Sequence, residues 1–419
     1  GLLEAASMTG GYAVRSNMLN TPVKVTRIEV PTISFVNGYA EWQPVKNADS
    51  YVLYKSEETG EETTLTEIAT LSKNSSGNNF DIYNYLNGAS GEYSLVISAK
   101  TTQNNCLSSI ISGEYKFTIL ETPTLQAMNG ELKWTSVESS AGYYLEIYKN
   151  ASLLDSFKVS QTTLKYDCMK TSKDKVIEGG EYTFKIKSLG EFEGDTHNVM
   201  TSLMSGEYSA IKLNTPKQTT VESGKIKLYS VNSTGVDYYM VSVNGNMVRV
   251  DVNNLLLELN STYKAGVYNL NYFAVGKDNY LTSNTSSESV AEKLSASNKV
   301  YIYKGEILYD KVSVENYKNN NSSMDYRVQI KREEVIKEFV QQNTFYNLSA
   351  DNDENIKPNV IYNIEVTCLG DDYYYLNSDA SILRNVVKLG NVTNLRIENG
   401  KLMWENPLHT GENSNVIPN

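Results

Sequence analysis

The residues that could carry chemistry in this chain are few, and their spacing assembles no catalytic group. Two histidines, His197 and His409, stand among 419 residues. Neither belongs to an H-E-x-x-H pair, and G-x-S-x-G, G-x-x-x-x-G-K, G-x-G-x-x-G and C-x-x-C are absent from the sequence. Cys106, Cys168 and Cys368 are too widely spaced for a zinc site and too few for a disulfide framework. The carboxylate pairs Glu57-Glu58 and Glu61-Glu62 fall in a polar, turn-like stretch and read as solvated surface. Asp351-Asn-Asp-Glu-Asn355 spaces oxygens as a calcium loop does, but Ile356 stands where that loop needs glycine. The feature best suited to binding is Tyr373-Tyr374-Tyr375 after Asp371-Asp372, because aromatic loop clusters stack on sugars or anchor proteins. Tyr375 falls in register with Val199 and Tyr280 of the repeat described below and is expected in the core. Tyr373 and Tyr374 remain as candidate ligand contacts. No catalysis, cofactor or metal is expected, and the partner is an unidentified protein or carbohydrate.

Composition narrows the partners further. A formal net charge of −11 disfavours nucleic acid. No run reaches 18 apolar residues, so no membrane span is expected. Apolar content of 40% with 21% charged residues fits globular domains. The last repeat copy is cut short and no initiator Met is present, so the chain is expected to be a fragment of a longer protein.

The elements that would position any site follow from one phrase, present five times. It reads NGYAEW (37–42), NGELKW (129–134), SGKIKL (223–228), KGEILY (304–309) and NGKLMW (399–404). Its glycines, at 38, 130, 224, 305 and 400, step by 92, 94, 81 and 95 residues. A repeat of about 90 residues is one small β-sandwich. The expected division is a remnant or leader over 1–23, sandwiches over 24–120, 121–213, 214–294 and 295–389, and the start of a fifth over 390–419.

Within a repeat the second strand ends on Trp42, Trp134 or Trp404, with Leu228 and Tyr309 in the other two copies. The sixth strand opens on Tyr93, Tyr182, Tyr268 or Tyr362 and alternates strictly afterwards. All these aromatics are expected in the core. A later block repeats just as regularly: Ser109 and Ser112, Ser202 and Ser205, Ser283 and Ser286, Ser378 and Ser381. Leu107, Met200, Leu281 or Leu376 sits two residues before the first serine. These serines are expected to bond backbone at a turn, not to act as nucleophiles. Cys106 and Cys368 occupy apolar slots of the same register. The segment 329–340, rich in Lys and Glu, looks helical by propensity, yet the repeat predicts a hairpin turning near Arg332-Glu333-Glu334. Joins of a few residues, such as Leu120-Glu-Thr-Pro123, predict restricted swing between repeats.

The Trp of the second strand, the Tyr opening the sixth and the S-x-x-S run resemble fibronectin type III domains, over roughly residues 24–404. The resemblance implies an all-β chain of tandem immunoglobulin-like sandwiches, beads on a string forming a rod. It also implies that each sixth-strand Tyr bonds backbone a few residues upstream as a tyrosine corner. The chain resembles especially the divergent repeats of bacterial surface proteins. The implied role is a non-catalytic extracellular or cell-wall spacer or adhesion stalk. Accessory domains of a secreted carbohydrate-active enzyme, or a phage fibre-like rod, are the alternatives.

Overall fold

A two-residue turn, used five times, sets the architecture. In every copy of the repeated phrase the glycine and the residue before it both have positive φ. The pairs are Asn37 at 48° with Gly38 at 87°, Asn129 at 53° with Gly130 at 74°, Ser223 at 50° with Gly224 at 68°, Lys304 at 49° with Gly305 at 81°, and Asn399 at 50° with Gly400 at 77°. This is type I′ geometry, whose twist matches that of the paired strands it joins. Each turn closes a hairpin of the first two strands: Ser34–Val36 with Tyr39–Trp42, Leu125–Met128 with Glu131–Trp134, Thr220–Glu222 with Lys225–Lys227, Val300–Tyr303 with Glu306–Tyr309, and Thr393–Glu398 with Lys401–Glu405. The computed structural model describes residues 24–60, 62–166, 178–190, 198–231, 234–318 and 323–405. Glu61, Cys168, His197, His409 and the reading of residues 1–23 lie outside them.

In four repeats a short fifth strand completes a three-stranded sheet: Asn78–Asp81, Lys165–Tyr166, Leu256–Leu257 and Phe345–Asn347. The facing sheet runs fourth–third–sixth–last. In repeat two these strands are Ser152–Ser160, Gly142–Lys149, Gly180–Leu189 and Tyr208–Lys212. The fourth strand therefore belongs to the larger sheet, unlike the ABED and CFG split of immunoglobulin constant domains. The fold is all-β, in tandem immunoglobulin-like sandwiches. Among the described residues one helix of four residues, Ile82–Tyr85, interrupts it, and the Asp81 carboxylate caps it by accepting from Asn84 N at 2.9 Å.

The predicted hairpin is present. Tyr326–Lys331 pairs antiparallel with Val335–Gln341 around Arg332-Glu333-Glu334. Buried Tyr326, Val328 and Ile330 on one face of the first strand explain why pairing overrides local helix propensity.

Contacts divide the chain into two compact units, residues 1–175 with 181–210, and residues 176–180 with 211–419. In the first unit one core gathers Ile33, Trp42, Tyr51, Leu53, Ile97 and Phe117 of repeat one. Repeat two buries Leu132, Trp134, Tyr143, Leu145, Phe184 and Ile186. The second unit has one core around Ile226, Leu228, Tyr239, Val241 and Tyr272, and another around Ile307, Tyr309, Tyr326, Val328 and Ile364. Trp404 departs from expectation: it is 53% exposed. Its hairpin pairs with no third strand among the described residues, so no second sheet covers that face.

Candidate functional site

The sixth strand and the segment after it are tied by serine hydroxyls standing in for backbone. Ser109 donates its N–H to Ala99 O at 2.9 Å, and its Oγ accepts from Ala99 N at 2.8 Å. The same two bonds join Ser112 to Ile97, Ser202 to Ser188, Ser205 to Ile186, Ser283 to Ala274, Ser286 to Tyr272 and Ser378 to Cys368. Each of these hydroxyls also donates to the carbonyl of the residue after it, as Ser283 does to Asn284 O at 2.9 Å. Proton and lone pair are both engaged, which leaves no activated nucleophile. Ser381 differs, donating instead to Ser297 O.

The sixth-strand tyrosines behave variously. Tyr93 donates to Ala89 O at 2.9 Å and Tyr268 to Lys264 O at 2.6 Å, both four residues upstream, and both rings are half-buried. Buried Tyr362 accepts from Lys357 N at 2.8 Å, and the buried Tyr182 hydroxyl accepts from Lys149 Nζ at 3.2 Å. A second tyrosine series escaped the sequence reading. Tyr51, Tyr143, Tyr239 and Tyr326 on the third strands are fully buried. Their hydroxyls accept from Val45, Val137, Val231 and Val312 N at 2.8–3.2 Å. Each valine lies three residues after Trp42, Trp134, Leu228 or Tyr309, and that constant offset was the available signal. The rings meet edge-on or tilted, Trp42 to Tyr51 at 5.5 Å, Trp134 to Tyr143 at 5.8 Å and Tyr309 to Tyr326 at 5.0 Å.

The joins carry the most repeated geometry. The residues before each first serine, expected only to fill a loop slot, form a short strand parallel to a strand end that precedes their own repeat. Val199 and Met200 pair with Thr118 and Ile119 in the first unit. In the second unit Tyr280 and Leu281 pair with Ile211 and Lys212, and Tyr375 and Leu376 with Glu292 and Lys293. Cys106 and Leu107 pair likewise with Thr26 and Arg27. The packed side chain then enters a neighbouring core: Met200 belongs to that of repeat one, and Leu376 to that of repeat three. Sequence register showed that this position is apolar but could not show whose core receives it.

A buried cation reinforces the join of repeats three and four. Lys293 Nζ donates to Asn260 O and Tyr263 O, each at 2.8 Å, and meets Asp379 Oδ1 at 2.7 Å. Lys212 Nζ donates to Thr282 O at 2.8 Å, and Arg27 Nη1 to Ser108 O at 2.9 Å.

The Tyr373–Tyr375 loop is part of the same join. Asp371, buried, accepts through Oδ1 from the N–H groups of Tyr373, Tyr374 and Tyr375 at 3.0, 2.7 and 2.8 Å. Its carbonyl accepts from Gly224 N at 2.9 Å, and Asn377 N donates to Gly224 O at 2.8 Å. A Cβ at Gly224 would run into Asn377 Oδ1, so glycine is required by the approach as well as by φ. Tyr375 is buried in the core of repeat four, as its register predicts. Tyr374 packs edge-on against it at 5.0 Å and its carbonyl accepts from Glu292 N, so it serves the join. Tyr373 is 62% exposed and is the candidate still facing solvent.

The other chemical groups are engaged. Cys368 is fully buried, and burial pushes its thiol up to about 11. Glu57 pairs with Lys55 at 2.6 Å on the wall of an open groove of about 1060 Å³ in the first unit, also lined by Glu92, Tyr93 and Glu114. In the 351–355 loop, Asp351 and Asp353 hold Lys337 at 2.9 and 3.4 Å. Burial works against that charge and the two carboxylates more than offset it, so Lys337 sits above its ordinary value.

No family model matches the chain, and no curated protein matches it. Among solved structures it is similar to the crystal structure of the chicken CNTN1 FN1-FN3 domains, at 11% identity, over 64% of this chain and 98% of that one, with a TM-score of 0.21. The assignment of the fold rests on the strand order above.

Proposed function

We propose that this chain is a non-catalytic spacer or adhesion stalk of fibronectin type III-like sandwiches, exposed on a bacterial cell surface or wall. The supporting observation is the join, where a short strand and an apolar side chain from one repeat are built into its neighbour. Such joins suit a part that holds a distance and presents surfaces. Tyr373 is the contact proposed for a protein or carbohydrate ligand. Small-angle scattering tests the spacer reading. An extended particle has a radius of gyration well above the roughly 22 Å of a compact globule of this length. A value near 22 Å, or hydrolase or transferase turnover in a broad substrate screen, would overturn it.

A further inference from the structure

Between repeats one and two, within the first unit, lies a cleft of about 600 Å³. One wall is the outer face of the larger sheet of repeat two. Tyr143, Leu145 and Ile147 of the third strand are buried, so Tyr144 and Glu146 point the other way. Tyr144 pairs with Lys158 on the fourth strand and with Lys187 on the sixth, which sets three side chains in a row on that face. Lys187 Nζ lies 5.3 Å from the centre of the Tyr144 ring. Neither lysine forms an ion pair among the described residues. The carboxylate that lines the cleft, Glu146, already accepts from the Tyr148 hydroxyl at 2.6 Å. Two unpaired ammonium groups therefore line one cleft of a chain whose net charge is −11.

The opposite wall belongs to repeat one, where the Asn37-Gly38 turn and the helix Ile82–Tyr85 place Tyr83. Tyr83 N donates to Gly38 O at 3.1 Å, and Gly88 N donates to Tyr83 O at 2.9 Å. A Cβ at Gly38 would stand 3.0 Å from Tyr83 Cβ, and one at Gly88 would stand 3.1 Å from Tyr83 Cζ. The two glycines thus let the ring settle against backbone, which fixes it in the cleft. Its hydroxyl has no partner among the described residues. Neither wall is dictated by the fold. The helix occurs in repeat one alone among the described residues. In the place of Tyr144 the other sandwiches have Val52 between Thr70 and Ser98, Met240 between Arg249 and Phe273, and Arg327 between Val340 and Thr367. The Lys-Tyr-Lys row occurs in repeat two alone, and it lines the same cleft as the helix.

We propose that this cleft binds an acidic saccharide, with Lys158 and Lys187 meeting its carboxylate and Tyr83 its ring. A pyranose presents C–H groups that pack on an aromatic side chain, and hydroxyls that suit the Tyr83 hydroxyl and the Asn37 amide. An extended peptide needs backbone partners, and the third strand has none to spare, because Gly142–Tyr148 is paired on both sides. Nucleic acid is disfavoured by the net charge, which two lysines do not offset. The site is separate from Tyr373, which belongs to the second unit.

Calorimetric titration of the full chain at low salt tests this, with tetramers of galacturonate, mannuronate and alternating glucuronate–N-acetylglucosamine as probes. The methyl ester of each tetramer keeps the rings and removes the charge. At least one acid should bind, and its ester should bind roughly tenfold more weakly. Lys158→Gln with Lys187→Gln should weaken the acid by a similar factor and leave the ester unchanged. Both lysines are on the surface of a paired sheet, so the variant should melt as the parent does. Lys116→Gln, which removes an exposed charge elsewhere in the same unit, should bind as the parent does. Tyr83→Ala should weaken acid and ester alike. No binding of any of the three acids at millimolar concentration overturns the proposal. So does equal affinity for an acid and its ester, or an acid affinity that the double lysine variant keeps. A polyglutamate that binds more tightly than every saccharide, and through the same two lysines, also overturns it, because the cleft would then select an acidic peptide. The titration reads binding and not particle shape, so its failure is distinct from failure of the spacer reading.

Discussion

Trp134 shows how much one side chain carries in a repeat of this size. It is buried against Tyr143, with its Nε1 buried and unpartnered. Trp134→Ala should cost about 3–5 kcal/mol, comparable with the whole stability of a small domain. Calorimetry should show repeat two melting early. Repeat one should follow in part, because Met200 is no longer held in its core, while repeats three and four keep their transitions. Phe at 134 should cost much less, since no hydrogen bond is lost. The join serines give a second test. Ser283→Ala leaves the buried Ala274 N–H without its acceptor and should cost roughly 1–3 kcal/mol in urea unfolding. Tyr272 and Tyr309 supply the pH dependence. Burial raises both hydroxyls to about 12, from an ordinary value of 10.0. The folded state therefore holds protons that the unfolded state releases between about pH 10 and pH 12. Stability should fall as pH rises through that window and be unaffected by these groups below it. Absorbance titration of the phenolates should find these two ionising above the ordinary range, and ionisation of both near pH 10 in the folded protein would contradict their burial.

At the level of elements, the turn and the join can each be altered singly. Lys304 is held at φ 49°, where a lysine is strained and an asparagine is favoured. Lys304→Asn should stabilise repeat four by roughly 0.5–1 kcal/mol, read as a shift of its urea midpoint with unchanged slope. In the join of repeats three and four, the ammonium of Lys293 is buried while Asp379 is partly solvated. Lys293→Ala abandons two backbone carbonyls and a carboxylate, and should cost about 2–4 kcal/mol. Asp379→Ala leaves the ammonium its two carbonyls and should cost about 1 kcal/mol. A reversed order of the two variants in the same unfolding assay would show that the carbonyl bonds are not what holds the ammonium.

For the whole molecule, the sequence alone showed the repeating phrase, the alternation of the longer strands and the serines that bond backbone at a turn. Alternation with period two reports which face of a strand is buried, and Asn-Gly or its equivalents report a backbone conformation that few residues tolerate. These are local constraints, so they are legible one residue at a time. The hairpin at 326–341 belongs with them because its register with residues 146–159 and 241–252 outvoted one stretch of helical propensity. Tertiary structure alone decided the rest. The apolar slot of Met200 and Leu376 was visible, but it faces a neighbouring core, and alternation cannot say which core covers a face. The two adjacent tyrosines 373 and 374 have the same sequence signature, yet one is drawn into a join by Tyr375 and the other left to solvent. Trp404 carries the same motif as Trp42 and Trp134, but burial needs a second sheet, and its hairpin has none among the described residues. A motif fixes the direction in which a side chain points; only the packing of distant segments fixes what it meets there.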